Sequence, residues 1–371
     1  MPATVVILGG SFAGLHIAHA LLKKNTKDLK VVLVSKNSHF YWNLASVRRI
    51  IPGVLKDEDI FKPIAAALKK YPESSYEFIV GTAEEADFDA KSVRITTESG
   101  ESKTLSYDQL VVATGSHTAG NVPWKAEGTY EQTLALLKST EEKVKAANHI
   151  VVAGAGTTGV ELTGELAFEF GKTKEIVLLS AGDKLVNGDI IAPAAANELK
   201  KLNAKIQYNA RVTETRASAA DPAKTEVVLA NGETLTTDLY LPTMGLIPNT
   251  TYVPAKYLNE NKLVDVDEFF RVKGTTNVWA AGDVVSKPRA GFMITQKQAA
   301  GVSKNLELAL AGKEPIVVKQ LPMDILAAAV GRSRGAGRMG SFKLPSIGVY
   351  LAKGKTMGLP MMSGYIDGSV A

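Results

Sequence analysis

The chain has 371 residues, 45% of them hydrophobic and 22% charged, the balance of a globular protein with room for two or three domains. It contains no cysteine, which excludes disulfide staples, thiolate metal sites and a dithiol redox centre, so any electrons it moves travel through a bound cofactor. A formal charge of +5 suits anionic ligands or a membrane surface; no nucleic-acid motif accompanies it, no apolar run approaches the ~20 residues of a spanning helix, and the N-terminus shows no signal peptide.

Val5 to Leu8 reads as an apolar strand. It runs into Gly9-Gly10-Ser11-Phe12-Ala13-Gly14, a helical run to about Lys24, and a second strand from Lys30 to Val34. Ile60 to Lys70 has the spacing of an amphipathic helix. Val93 to Thr97 with Lys103 to Leu105 predicts a hairpin, Gln109 to Ala113 a buried strand ending in Thr114-Gly115, and Glu131 to Ala147 a helix. Ile150 to Ala153 then repeats the opening design, with Gly154-Ala155-Gly156-Thr157-Thr158-Gly159, a helical run to about Phe170 and a strand from Glu175 to Leu179. Glu226 to Leu241 predicts a hairpin turning at Asn231-Gly232. Val278 to Ala281 predicts a strand ending at Gly282-Asp283, and Phe292 to Ala311 a helix. From about Pro315 the chain reads as glycine-rich strands and turns.

A strand, a glycine turn and a helix, twice over, is the design of a dinucleotide site. The pyrophosphate takes NH donors from the helix N-terminus, and glycines let the backbone come close. Gly154, Gly156 and Gly159 complete the pattern; in the first copy Gly9 and Gly14 hold its ends while Ser11 replaces the middle glycine. Ser35 and Ser180 stand where a ribose-binding acid is expected. With no carboxylate to repel a 2′-phosphate, either NADH or NADPH is admitted at the second unit; Lys184 could reach such a phosphate but reads first as a solvated surface lysine. The fold class expected is α/β: two Rossmann-like dinucleotide-binding domains plus a short C-terminal α+β region.

With Ala113-Thr114-Gly115 and Gly282-Asp283, the sequence resembles the two-dinucleotide-binding-domain flavoproteins. It is similar in particular to the apoptosis-inducing-factor-like family that includes ferroptosis suppressor protein and fungal relatives. Four stretches carry the closer likeness: His39 to Arg48, Gly159 to Glu165, Thr243 to Asn249 (with Met244 inserted in the usual Thr-Gly pair), and Gly331 to Gly337 with Leu351-Ala352-Lys353. The resemblance implies an FAD-binding domain from residues 1–120 and 245–315, an NAD(P)H-binding domain from 121–244 and a C-terminal region from 316–371. It implies FAD held by Gly9, Gly10, Ser11, Phe12, Ala13, Gly14, Asn43, Arg48 (at the phosphates), Ala83, Ala113, Thr114, Gly115, Gly282 and Asp283 (at the ribityl chain). NADH or NADPH falls to Gly154, Gly156, Thr157, Thr158, Gly159 and Glu161. Glu161 and Lys353 are the catalytic candidates, Glu161 beside the nicotinamide and Lys353 beside flavin and acceptor, where an ammonium steadies negative charge. Phe40, Tyr41 and Trp42 are expected to wall the flavin, and His16 and His19 to be structural. No metal-ligand spacing or nucleophilic triad is present.

The implied activity is transfer of hydride from NAD(P)H to flavin and of electrons onward to a quinone or other small acceptor. The alternatives are a reductase of a protein carrier such as ferredoxin and an NAD(P)H-sensing signalling flavoprotein. The protein is expected to be intracellular, cytoplasmic or mitochondrial, and a monomer or homodimer. Pro2 removes the glycine needed for myristoylation. From Ile325 to Ile366 there is no acid, while Arg332, Arg334, Arg338, Lys343, Lys353 and Lys355 lie among Val349, Tyr350, Leu351, Met357, Leu359, Met361 and Met362. That composition fits equally an acceptor-facing surface with peripheral contact to anionic membrane and a basic face that packs on the FAD domain.

Overall fold

The computed structural model describes residues 2–285, 289–319 and 321–371. The first unit runs β1 (Ala3–Leu8), α1 (Phe12–Lys23) and β2 (Leu29–Ser35), then β3 (Tyr76–Asp87), β4 (Ser92–Thr97), β5 (Ser102–Ser106) and β6 (Gln109–Val112). A connecting helix, α2 (Tyr130–Ala146), leads to the second unit: β7 (His149–Ala153), α3 (Thr157–Phe170), β8 (Glu175–Leu179), β9 (Lys205–Gln207) and β10 (Leu239–Pro242). The chain then returns through β11 (Val278–Ala280) and α4 (Phe292–Leu310) and ends in a sheet of β12 (Ile325–Val330), β13 (Arg334–Met339) and β14 (Phe342–Leu344), followed by short helical turns.

The first sheet has seven strands in the order β11-β6-β1-β2-β3-β4-β5, parallel from β11 to β3 and antiparallel beyond. The second has four parallel strands, β9-β8-β7-β10. Parallel strands covered on both faces read as continuous apolar runs, and Val5–Leu8 and Ile150–Ala153 are all 0 or 1% exposed. In both sheets the order reverses beside the first strand of the unit. The crevices at β1/β6 and β7/β10 therefore open at the carboxyl ends of the strands, where such sheets bind ligands.

Helix α2 begins where its sequence says it should. Thr129 Oγ1 accepts from the Gln132 amide at 3.3 Å, and Gln132 returns a carbonyl to the Thr129 amide at 2.9 Å; such a capping box contributes about 1 kcal/mol.

Three expectations are corrected. Ile60 to Lys70 is not one helix: Phe61–Pro63 pairs antiparallel with His39–Tyr41, splitting it into turns at Asp57–Ile60 and Ile64–Leu68. The hairpin at Asn231-Gly232 joins Thr225–Leu229 to Thr234–Thr237, but Leu239–Pro242 leaves it for the second parallel sheet. Beyond β14, Ser346–Val349, Tyr350–Gly354 and Met362–Ile366 are helical rather than extended.

Candidate functional site

The two glycine turns are built alike. Gly9 has φ +111° and Gly154 φ +100°, backbone that a side chain rarely tolerates. A Cβ on Gly14 would lie 1.8 Å from the Gly9 carbonyl oxygen, and one on Gly159 at 1.8 Å from that of Gly154, so each closing glycine lets its helix sit on the strand end. Ser11 and Gly156 are the N-caps of α1 and α3; neither gives a side-chain cap, and neither helix has an acid in its first turn. Their first NH groups are thus left for an anion, where the helix dipole also favours one. Around Gly156 a Cβ would meet nothing within 4 Å, so the approach to α3 is open. Ser35 turns its hydroxyl to Asn37 O at 2.7 Å and Ser180 to Lys184 O at 2.9 Å, leaving neither as a stand-in for the missing ribose acid; the Lys184 side chain is exposed.

At the first crevice the expected elements converge. Gly10 is buried against Ser35, and Ala13 lies against Gly282, where an added Cβ would stand 3.5 Å from that of Ala13. Ala113 hydrogen bonds through its amide to Leu8 O at 2.8 Å. Thr114 Oγ1 donates to Asn249 O at 2.6 Å, and Asn249 Nδ2 returns to Thr114 O at 2.9 Å, so the Thr-Gly turn is clamped by the late Pro-Asn stretch. That stretch also reaches the second turn, since Thr243 Oγ1 contacts Gly154 O at 2.8 Å. Gly282 donates its amide to Gln298 of α4 at 2.8 Å. Helix α4 itself starts at an uncapped Gly291 with no acid in its first turn. Ala83 packs, half-buried, on the core.

Asp283 is half-buried and accepts from Lys125 Nζ at 2.6 Å and Ser116 Oγ at 2.9 Å. Burial opposes its ionisation, but the Lys125 charge and the two hydrogen bonds outweigh it and hold the carboxyl below its ordinary value. Nothing in the sequence marked Lys125.

Asn43 and Arg48 have protein partners. Asn43 Nδ2 donates to Trp124 O at 3.1 Å. Arg48 is 3% exposed; its Nε and Nη2 donate to Glu165 Oε1 at 3.0 and 2.6 Å, and its Nη2 and Nη1 to Gly354 O and Lys355 O at 2.6 and 3.1 Å. The guanidinium expected at the FAD phosphates is here turned to a buried carboxylate of α3 and to the C-terminal backbone. Phe40 and Trp42 are 0% exposed, in a cluster with Phe12, Phe292 and Tyr365 whose ring centroids lie 5.1 to 6.3 Å apart. Tyr41 points the other way, stacking on Phe61 at 4.6 Å. The aromatic triplet is therefore split by strand alternation and packs as core; the far-off Phe292 and Tyr365 gave no sign of this in sequence.

The structure brings Glu161 and Lys353 together. Lys353 Nζ lies 2.6 Å from Glu161 Oε1 and donates to Ala327 O at 3.1 Å, while the Ala329 amide donates to the same Glu161 oxygen at 3.0 Å. The pair joins the first turns of α3 to the C-terminal sheet. The positively charged acceptor surface is corrected at the same place. Arg332 pairs with Glu169 and stands 3.7 Å from Glu165, Arg334 pairs with Glu198, Arg338 with Asp189 and Asp324, and Lys353 with Glu161. Among the described residues only Lys343 and Lys355 of the six have no ion pair. Met357 and Met362 are buried, whereas Phe342, Ile347, Leu351 and Met361 are exposed. Among the described residues no helix is long and apolar enough to cross a membrane.

Comparison with known proteins agrees with this architecture. The family model of pyridine nucleotide-disulphide oxidoreductases matches residues 3–309. Oxidoreductase ptaL of Pestalotiopsis fici is 38% identical over 99% of both chains, and ferroptosis suppressor protein 1 of Xenopus tropicalis is 25% identical over 95% of this chain and 92% of its own. The sulfide:quinone oxidoreductase of Aquifex aeolicus has the same fold, with TM-score 0.75 at 21% identity over 99% of this chain and 92% of its own. The uncapped helix ends, the open face at Gly156 and the Gly282-Asp283 turn fit FAD and a nicotinamide dinucleotide, and the lack of cysteine removes only the dithiol half of the chemistry in the family's name. The chain belongs to the pyridine nucleotide-disulphide oxidoreductase family, as an α/β flavoprotein oxidoreductase that uses FAD and NAD(P)H.

Proposed function

We propose that the protein passes electrons from NADH or NADPH to a quinone-type small acceptor, with residues 1–120 and 245–315 binding FAD, 121–244 the nicotinamide and 316–371 covering the acceptor side. FAD supplies the redox chemistry that couples a hydride donor to such an acceptor; the chain supplies placement and charge. The observation that carries the reading is the Glu161–Lys353 pair, which ties the nicotinamide helix to the C-terminal cover. The Glu161 carboxylate pairs with Lys353 and accepts a hydrogen bond from the Ala329 amide, and its role is to orient a carboxamide at the mouth of α3. Lys353 keeps a mobile ammonium that can turn from Ala327 O to an acceptor oxygen and stabilise charge arriving there. The name of the sulfide:quinone oxidoreductase supports the acceptor class, and the apolar Leu351 and Ile347 nearby in sequence suit a greasy ring. With most of its cations neutralised, any membrane contact of this region is mainly apolar. We place the protein inside the cell, as a monomer or homodimer.

Stopped-flow spectroscopy tests the reading. Bleaching of the flavin by NADH or NADPH, followed by reoxidation faster with quinones than with oxygen or ferredoxin, is the expected result. Reoxidation indifferent to quinone, or selective for the protein carrier, overturns it.

A further inference from the structure

The connector between the two units carries a charge that the fingerprints do not include. Pro123 to Lys125 is fixed at four points. Tyr41 Oη donates to Pro123 O at 2.7 Å and Asn43 Nδ2 to Trp124 O at 3.1 Å, both from the first unit. Trp124 Nε1 donates to Pro242 O at 2.7 Å, the end of β10 in the second unit. Lys125 Nζ then reaches Asp283 Oδ2 at 2.6 Å, across 158 positions of sequence. A lysine side chain normally keeps its freedom in solvent, and ordering one costs conformational entropy. Here it is three-quarters covered and directed onto a half-buried carboxylate.

We propose that Lys125 is a positioning residue of the redox site, pairing with the Asp283 carboxylate and orienting it toward the FAD ribityl chain. The proposal rests on the assignment of Asp283 to FAD. Two arguments favour it over a plain structural salt bridge. First, Ser116 Oγ binds the same carboxylate oxygen as Lys125, so Asp283 Oδ2 takes both donors, and among the described residues no hydrogen bond reaches Oδ1. A carboxylate gripped at one oxygen presents the other in a fixed direction to a hydroxyl donor. Second, an unpaired anion beside the flavin would disfavour electrons arriving on the ring. A lysine on that anion cancels the penalty without adding net charge. The strap to Pro242 adds a consequence: movement of the second unit against the first is transmitted through Trp124 to the same lysine.

The experiment uses apoprotein and FAD, read by flavin fluorescence quenching, with the midpoint potential of the bound flavin as a second readout. K125M is expected to weaken FAD binding at least tenfold and lower the midpoint potential, K125R to stay within about threefold of wild type at an unchanged potential, and K125M/D283N to bind no more weakly than D283N. The double variant carries neither charge, so it remains informative where K125M folds poorly. Wild-type affinity and potential in K125M, or losses in K125M and D283N that add in the double variant, overturn the proposal. A wild-type apoprotein that does not take up FAD at all overturns the Asp283 assignment on which it rests, an outcome distinct from K125M binding FAD as wild type does.

Discussion

Replacing Arg48 with methionine separates two roles for this arginine, a ligand of FAD phosphate and the partner of Glu165. The structure gives the magnitude for the second. Glu165 has 1% of its side chain exposed, Arg48 has 4%, and two guanidinium nitrogens hold one carboxylate oxygen. Without Arg48 the carboxylate keeps only Arg332 at 3.7 Å, and its Oε2 already has no hydrogen-bond partner. Removing one member of a buried pair costs about 3–5 kcal/mol, and at roughly 2 °C per kcal/mol R48M should melt about 6–10 °C below wild type. R48M/E165L, which removes both charges, should recover most of that loss. The deficit should also depend on pH. Burial pushes the Glu165 carboxyl above its ordinary range, against Arg48 and Arg332. A carboxyl whose folded-state pKa lies above the unfolded value binds its proton more tightly when folded. The R48M deficit is therefore smallest below the ordinary carboxylate range and grows as pH rises through the folded value. The assay is thermal melting of the four proteins of the cycle, each as apoprotein and with FAD. If apo R48M melts with apo wild type while FAD affinity falls, the arginine works on the cofactor and the reasoning from Glu165 is refuted.

Gly156→Val should leave melting and FAD content unchanged, because a Cβ there meets nothing within 4 Å, yet raise the apparent KM for NAD(P)H at least tenfold by filling the approach to α3; equal loss of both nucleotides would reverse the assignment of the two turns. Lys353→Met should slow reoxidation by quinone about tenfold or more with flavin reduction changed less, measured as separate half-reactions; equal losses with FAD bound would reduce Lys353 to a packing role. His16 and His19 are each lowered to about 4, mainly by burial. A histidine whose folded pKa is depressed leaves stability complete above about pH 6.5 and removes it as pH falls toward 4, by up to about 1.4 kcal/mol per pH unit for each proton, so urea midpoints should drop over that window and His19→Gln should flatten the slope.

What could be read from the sequence was local. Each glycine turn, the strand before it and the helix after it occupy some twenty consecutive residues, so their pattern and their chemistry sit in one window. The clamp between Thr114 and Asn249 was half legible: both motifs stood out, while their hydrogen bonds span 135 positions. Ile60 to Lys70 failed because helical spacing does not reveal that Phe61–Pro63 has a strand partner at His39–Tyr41. The basic C-terminal stretch misled for a different reason. An acid-free segment looks like a free positive surface only if its partners are sought within it, and here they are Asp324 just before it and Glu161, Glu165, Glu169, Asp189 and Glu198 of the second unit.

Those acids expose the logic of the assembly. Glu161, Glu165 and Glu169 follow one another at four-residue spacing, one above the next on a single face of α3. Lys353 takes the first, Arg48 the second and Arg332 the third, so the C-terminal region and the first unit are fastened to the same helix by charge. Like charges stacked at that spacing would destabilise an isolated helix. They persist because the cations come from elsewhere, and so α3 is fully compatible with its sequence only when all three parts of the chain are in place. The N-terminus of this helix is also the second glycine turn. The cations therefore set where that turn stands relative to the first unit, to within the length of an ion pair, and Glu161, the acid nearest the turn, takes its cation, Lys353, from the C-terminal region.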